Sequence, residues 1–90
     1  MVFVKNAGSD MKIMPLTKLR AGEKGIVLEI IGGRGVANRL GSLGIIPGKT
    51  ITKISAMMMN GPVVIQVGST QLAIGYGMAG KVIVQKKESI

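Results

Sequence analysis

The ninety-residue sequence predicts one mainly β domain, a small barrel of about five short strands with a single short α-helix. Three observations carry this. Apolar residues alternate with a period of two in several short runs, glycine sits at the joints between them, and one stretch alone has helical spacing. A small antiparallel sheet closes on itself rather than leave apolar edges open.

Residues 1–13 stand apart. Met1–Val4 suits an edge strand, but Asn6-Ala7-Gly8-Ser9-Asp10 has linker composition. The segment is expected to be an extension, loosely held or borrowed by a neighbouring molecule. The domain proper is expected over 14–85. It opens with Pro15-Leu16-Thr17-Lys18-Leu19, turn-like and anchored by two leucines, and Ala21-Gly22 turns the chain. Gly25–Ile31 reads as a strand with Ile26, Leu28 and Ile30 on one face, and Gly32-Gly33-Arg34-Gly35 ends it.

The helix follows. Val36, Leu40 and Leu43 fall at i, i+4 and i+7, which places them on one helical face. Gly44 suits the left-handed residue that stops a helix, which makes Leu40 and Ile45 the apolar pair of a Schellman closure. Pro47-Gly48 suits the centre of a type II turn, and Thr50–Ile54 is β-branched enough to be the next strand, extending to residue 56.

Met57-Met58-Met59-Asn60-Gly61 leads through a hairpin-type Asn-Gly into a strand over Pro62–Val67. Gly68-Ser69 turns into Gln71–Ile74. Gly75–Gly80 reads as a loop or a single helical turn, Lys81–Gln85 as the last strand, and 86–90 as a tail.

Composition limits function. Twelve Lys and Arg stand against four acids, a formal charge of +8, of which +6 lies between Met14 and Gln85. That balance points to an acidic partner: nucleic acid, lipid headgroups or an acidic protein face. The apolar fraction is 47% and the mean hydropathy +0.44, yet no apolar run nears the roughly 18–20 residues of a membrane span. Met1–Val4, closed by Lys5-Asn6, is too short for a signal peptide. A cytoplasmic location is expected. The apolar excess fits a contact surface or a homo-oligomer, and fits equally the apolar area any small domain exposes.

Histidine and cysteine are both absent, which removes the usual transition-metal ligands, the commonest general base and the thiol nucleophile. Glu23 and Glu29 are the only acids in the central region and their spacing suggests no catalytic pair. No enzyme, no cofactor and no metal site is expected. Gly75–Gly80 matches GxGxxG, but a strand-like run follows it where a dinucleotide site needs a helix. Gly32–Gly35 precedes a helix, as anion sites do, but lacks the Lys-Ser/Thr of a P-loop, so ordinary turn glycines are the simpler reading. Three consecutive methionines cannot all point one way, which argues against copper and for a flexible apolar tip. RNA binding is the alternative for a small basic barrel. Against it, Phe3 and Tyr76 are the only aromatics, and the cations form no run.

Pro15-Leu16-Thr17-Lys18-Leu19, Gly22-Glu23-Lys24-Gly25, the run Arg39-Leu40…Leu43-Gly44-Ile45…Pro47-Gly48, Gly61-Pro62, Ala79 and Ile83-Val84 together resemble the ferrous iron transport protein A (FeoA) family. The resemblance covers about Met14 to Gln85, and the Arg39–Gly48 run is its most distinctive piece. It implies an SH3-like barrel, like the C-terminal domain of iron-dependent repressors. It also implies a cytosolic, non-enzymatic accessory that binds the FeoB-type ferrous iron transporter, a membrane protein with a GTPase domain. Positions 75–78, Gly-Tyr-Gly-Met, depart from the basic or acidic residues common in relatives, and residues 1–13 lie outside the pattern. On this reading the partner-binding residues are Arg34 and Arg39 for acidic contacts, with Leu40, Leu43, Met57, Met58 and Met59 supplying apolar ones. For Leu40 and Leu43, anchoring the helix to the barrel is the competing role.

Overall fold

Residues 12–56 and 61–87 are described by the structure, a computed structural model. β1 (Ile13–Pro15) runs into a 3-10 turn (Leu16–Lys18), followed by β2 (Lys24–Ile30), α1 (Gly33–Gly41), β3 (Thr50–Ala56), β4 (Val63–Val67), β5 (Thr70–Ile74), the one-turn α2 (Tyr76–Ala79) and β6 (Val82–Lys86). The fold is mainly β, with six strands where the sequence suggests about five. The extra one is β1, which pairs with β6 through Ile13↔Gln85 and Pro15↔Ile83. Pro15 reads as a turn in sequence, yet proline is tolerated on an edge strand, where its missing N–H faces outward.

All strand pairs are antiparallel and the order is β1-β6-β2-β3-β4-β5. The ladder is open: β1 and β5 are its edges, and α2 packs against the 3-10 turn. Inside sit Leu16, Leu19, Val27, Leu40, Ile45, Ile51, Val63, Ile65, Val82 and Val84. β4 shows the period-two rule plainly, with Val63, Ile65 and Val67 buried and Val64 and Gln66 between them half-buried.

β2 overturns the expected face. Val27 is buried, whereas Leu28 is 39% exposed and Ile26 only half-buried. The register on β6 shifts between Val27 and Glu29, so Leu28 is the extra residue of a bulge. Val27 faces the buried Val84, and past the bulge Ile30 pairs with Val82. A β-carbon on Gly25 would lie 2.9 Å from the Val84 side chain, so the strand also needs a glycine to seat against β6.

The end of α1 has the predicted closure. Ile45 N–H donates to Leu40 O at 3.0 Å and Gly44 N–H to Gly41 O at 2.9 Å, the paired bonds of a Schellman motif, with Gly44 at φ +90°. Leu40 and Ile45 are both fully buried, which contributes roughly 1.5–3 kcal/mol each. Lys49 N–H then donates to Ile46 O across Pro47-Gly48, with Gly48 at φ +93°, a type II turn. That turn is tied to β2 in both directions, Gly48 N–H to Val27 O and Val27 N–H to Lys49 O, each 2.8 Å.

Candidate functional site: the basic helical end and its anchors

Leu40 anchors α1 and has no surface to offer a partner, being fully buried. Leu43 lies beyond the helix, on the tightened turn of the closure, and is 43% exposed beside the equally exposed Ile46. The expected common face therefore splits. Val36 is half-buried, Leu40 buried and Leu43 free, because the Schellman closure turns the chain before a third helical position is reached. Arg34 and Arg39 are both exposed, but five residues apart they point about 140° from one another around the helix. Met57, Met58 and Met59 lie outside the described residues.

Arg39 lines an open cleft of about 350 Å³ together with Gly32, Gly35, Val36 and Met78. α1 supplies one wall and α2 the other. The 3.6-residue repeat puts positions 32, 35, 36 and 39 on one side of α1. Lys81 stands close by. A β-carbon on Gly32 would lie 3.1 Å from the Lys81 Cδ, and Ile31 N–H donates to Lys81 O at 2.8 Å. So the two glycine-rich runs, 32–35 and 75–80, meet in space although they are far apart in sequence.

α1 begins without help. Its N-cap is Gly32, which offers no side-chain acceptor, and the first turn carries Arg34 but no acid. Acids usually occupy that turn, where they face the positive end of the helix dipole. From Ile30 to Lys87 the chain has no Asp or Glu at all, against seven Lys and Arg.

The fold gathers cations that the sequence scatters. Lys86 N–H donates to Lys12 O and Lys87 N–H to Lys24 O, so four lysines meet where β1, β6 and β2 lie side by side. Glu23 offsets one of them: its Oε2 lies 2.9 Å from Lys86 Nζ, and its Oε1 accepts the Arg20 N–H at 2.7 Å. The Lys86 hydrogen bond first, and the Arg20 N–H second, hold the Glu23 carboxyl below its ordinary value of 4.5.

Sequence reasoning gave Lys53 no role. It sits on β3 with only 6% of its surface exposed, and its Nζ donates to Leu19 O at 2.6 Å and Thr17 O at 3.0 Å. Burial lowers its pKa from the ordinary 10.5, and the Glu23 carboxylate partly opposes the shift. Lys53 thereby ties the 3-10 turn, and through it α2, to the sheet. The one sequence signal was its place between Ile51 and the strand's later residues, on the inward side of a period-two run.

Among the described residues, no group of three His, Cys, Asp or Glu is placed to hold a metal ion, and no helix is long and apolar enough to cross a membrane. The sequence model of the FeoA domain matches residues 14–86. The chain belongs to the FeoA domain family. A protein of Methanocaldococcus jannaschii named putative Fe(2+) transport protein A is 39% identical over 74 residues, 82% of this FeoA chain and 88% of its own length. The crystal structure of an iron uptake regulatory protein (FeoA), 42% identical, superposes with a TM-score of 0.79 over 86% of this chain and all of that one. A manganese-dependent transcriptional repressor, 18% identical, shares the fold alone, with a TM-score of 0.77 over 86% of this chain and 43% of its own.

Proposed function

We propose that this FeoA-domain chain is a non-enzymatic cytoplasmic accessory of ferrous iron uptake that binds the cytosolic part of a FeoB-type transporter. Iron is then the partner's cargo, and residues 14–85 are the binding unit. The observation that carries the reading is the match of residues 14–86 to the FeoA domain, shared with a relative named for Fe(2+) transport. The surface supports it: Arg34, Arg39 and the exposed Leu43 stand on or beside a helix that carries no acid. Met57–Met59 complete the proposed contact.

Capture from membranes tests this. Tagged wild-type chain is expected to co-purify with the transporter, and the Arg34→Glu/Arg39→Glu variant, checked for an unchanged melting transition, to recover about tenfold less. Equal recovery by a folded variant would show that the docking surface lies elsewhere. No recovery by wild type would end the docking reading itself.

A further inference from the structure

We infer that the cleft between α1 and α2, floored by Val36 and Met78 and flanked by Arg39 and Lys81, receives a short acidic segment of the partner protein. This rests on the docking reading above and assigns the part of the surface that takes the segment.

Charge complementarity names the occupant. Arg39 lines the cleft, the Lys81 stem lies against Gly32 at its edge, and among the described residues neither cation has a carboxylate within ion-pair distance, the one such pair being Lys86 with Glu23. At about 350 Å³ the cleft holds one or two side chains rather than a folded surface. Its apolar floor suits a methylene or methyl group, with carboxylates reaching the cations on either side. A phosphate backbone makes poorer use of Val36 and Met78, and among the cleft-lining residues there is no aromatic ring for a base to stack on.

Gly35 provides the handle. It lies within α1 at a φ that any residue adopts, and a β-carbon there would meet nothing within 4 Å. Neither backbone conformation nor packing requires glycine, which is a poor helix former. Gly35→Gln is therefore expected to fold at least as stably as wild type while filling the cleft.

The chain has no native cysteine, so Gly35→Cys carries a photo-crosslinker at one defined point, with Gln71→Cys on β5 as the distant control. With solubilised transporter, the Gly35 probe is expected to label a peptide rich in Asp and Glu at several times the yield of the Gln71 probe. Gly35→Gln and Arg39→Glu/Lys81→Glu are expected to bind the transporter about tenfold more weakly, the latter a loss of the size that reversed contact charges give. Equal labelling from both probes, a labelled peptide without carboxylates, or undiminished binding by both variants would overturn the cleft while leaving docking intact. Failure of the wild type to bind removes both. Competition by a single-stranded RNA oligonucleotide that depends on Arg39 and Lys81 would overturn the assignment in favour of nucleic acid.

Discussion

Replacing Lys53 by methionine keeps the apolar stem and removes the ammonium, and the structure sets the size of the effect. Leu19 O is buried and loses its 2.6 Å donor, while Thr17 O is partly buried and loses one at 3.0 Å. A buried acceptor left unpaired costs about 1–3 kcal/mol, and the partly wetted one less. Relief of the ammonium's desolvation works the other way, in keeping with the direction in which burial moves its pKa. It is limited, however, because two carbonyls solvate the group. A net loss of about 2 kcal/mol is expected, out of the 5–15 kcal/mol typical of a domain. With a urea m-value of about 1 kcal/mol/M for so small a chain, the midpoint falls by about 2 M. The gap should also widen with alkali. The folded chain releases the Lys53 proton at a lower pH than the unfolded chain, so between the two values the unfolded state binds more protons and wild-type stability gains with pH. Lys53→Met lacks that gain. A midpoint equal to or above wild type would show that the lysine is a burden the fold tolerates and not the tie between the 3-10 turn and β3, and parallel pH profiles would show that burial does not lower its pKa.

Leu40→Ala is expected to cost about 3 kcal/mol and Leu43→Ala no more than about 0.5 kcal/mol, as urea titration would show, since one is fully buried and the other 43% exposed. On the acid side, the lowered Glu23 pKa gives a contribution that is whole above 4.5 and is lost as pH falls through the folded value. Thermal melts of Glu23→Gln across pH 2–6 should therefore lack that part of the wild-type decline; identical declines would mean that the contact with Lys86 does not persist in solution.

The parts legible in the sequence were those decided by neighbours along the chain. The Schellman closure depends on Leu40, Gly44 and Ile45, and the type II turn on Pro47 and Gly48, all within ten residues. What stayed hidden depended on strand register. The bulge at Leu28 is set by how β2 meets β6, so strict alternation put Ile26, Leu28 and Ile30 on one face, whereas Leu28 is exposed and Val27 is the buried residue. The meeting of Lys12, Lys24, Lys86 and Lys87 follows from the same register, which no inspection for runs of charge can reveal. β1 was missed because three residues ending in proline carry no periodicity. The cleft was missed because its two glycine-rich walls each had an ordinary explanation as turns.

α1 breaks local rules in ways that bear on its use. Its N-cap has no acceptor, its first turn holds Arg34 against the dipole, and Gly35 weakens the interior where nothing demands it. Each departure costs a fraction of a kcal/mol to about 1 kcal/mol in an isolated helix. The helix stands because Leu40 and Ile45 are buried and its last turn is closed, so its stability is set at one end and its exposed end is free to depart from the optimum. Local rules broken without a gain within the fold are expected at sites that serve another molecule. Arg34→Glu places an acid where the dipole favours one, Arg39→Glu removes a cation from the last turn where the dipole favours it, and neither touches a core residue. The two effects offset, so the double variant is expected to melt close to wild type, and a loss of capture would report on the surface and not on the fold.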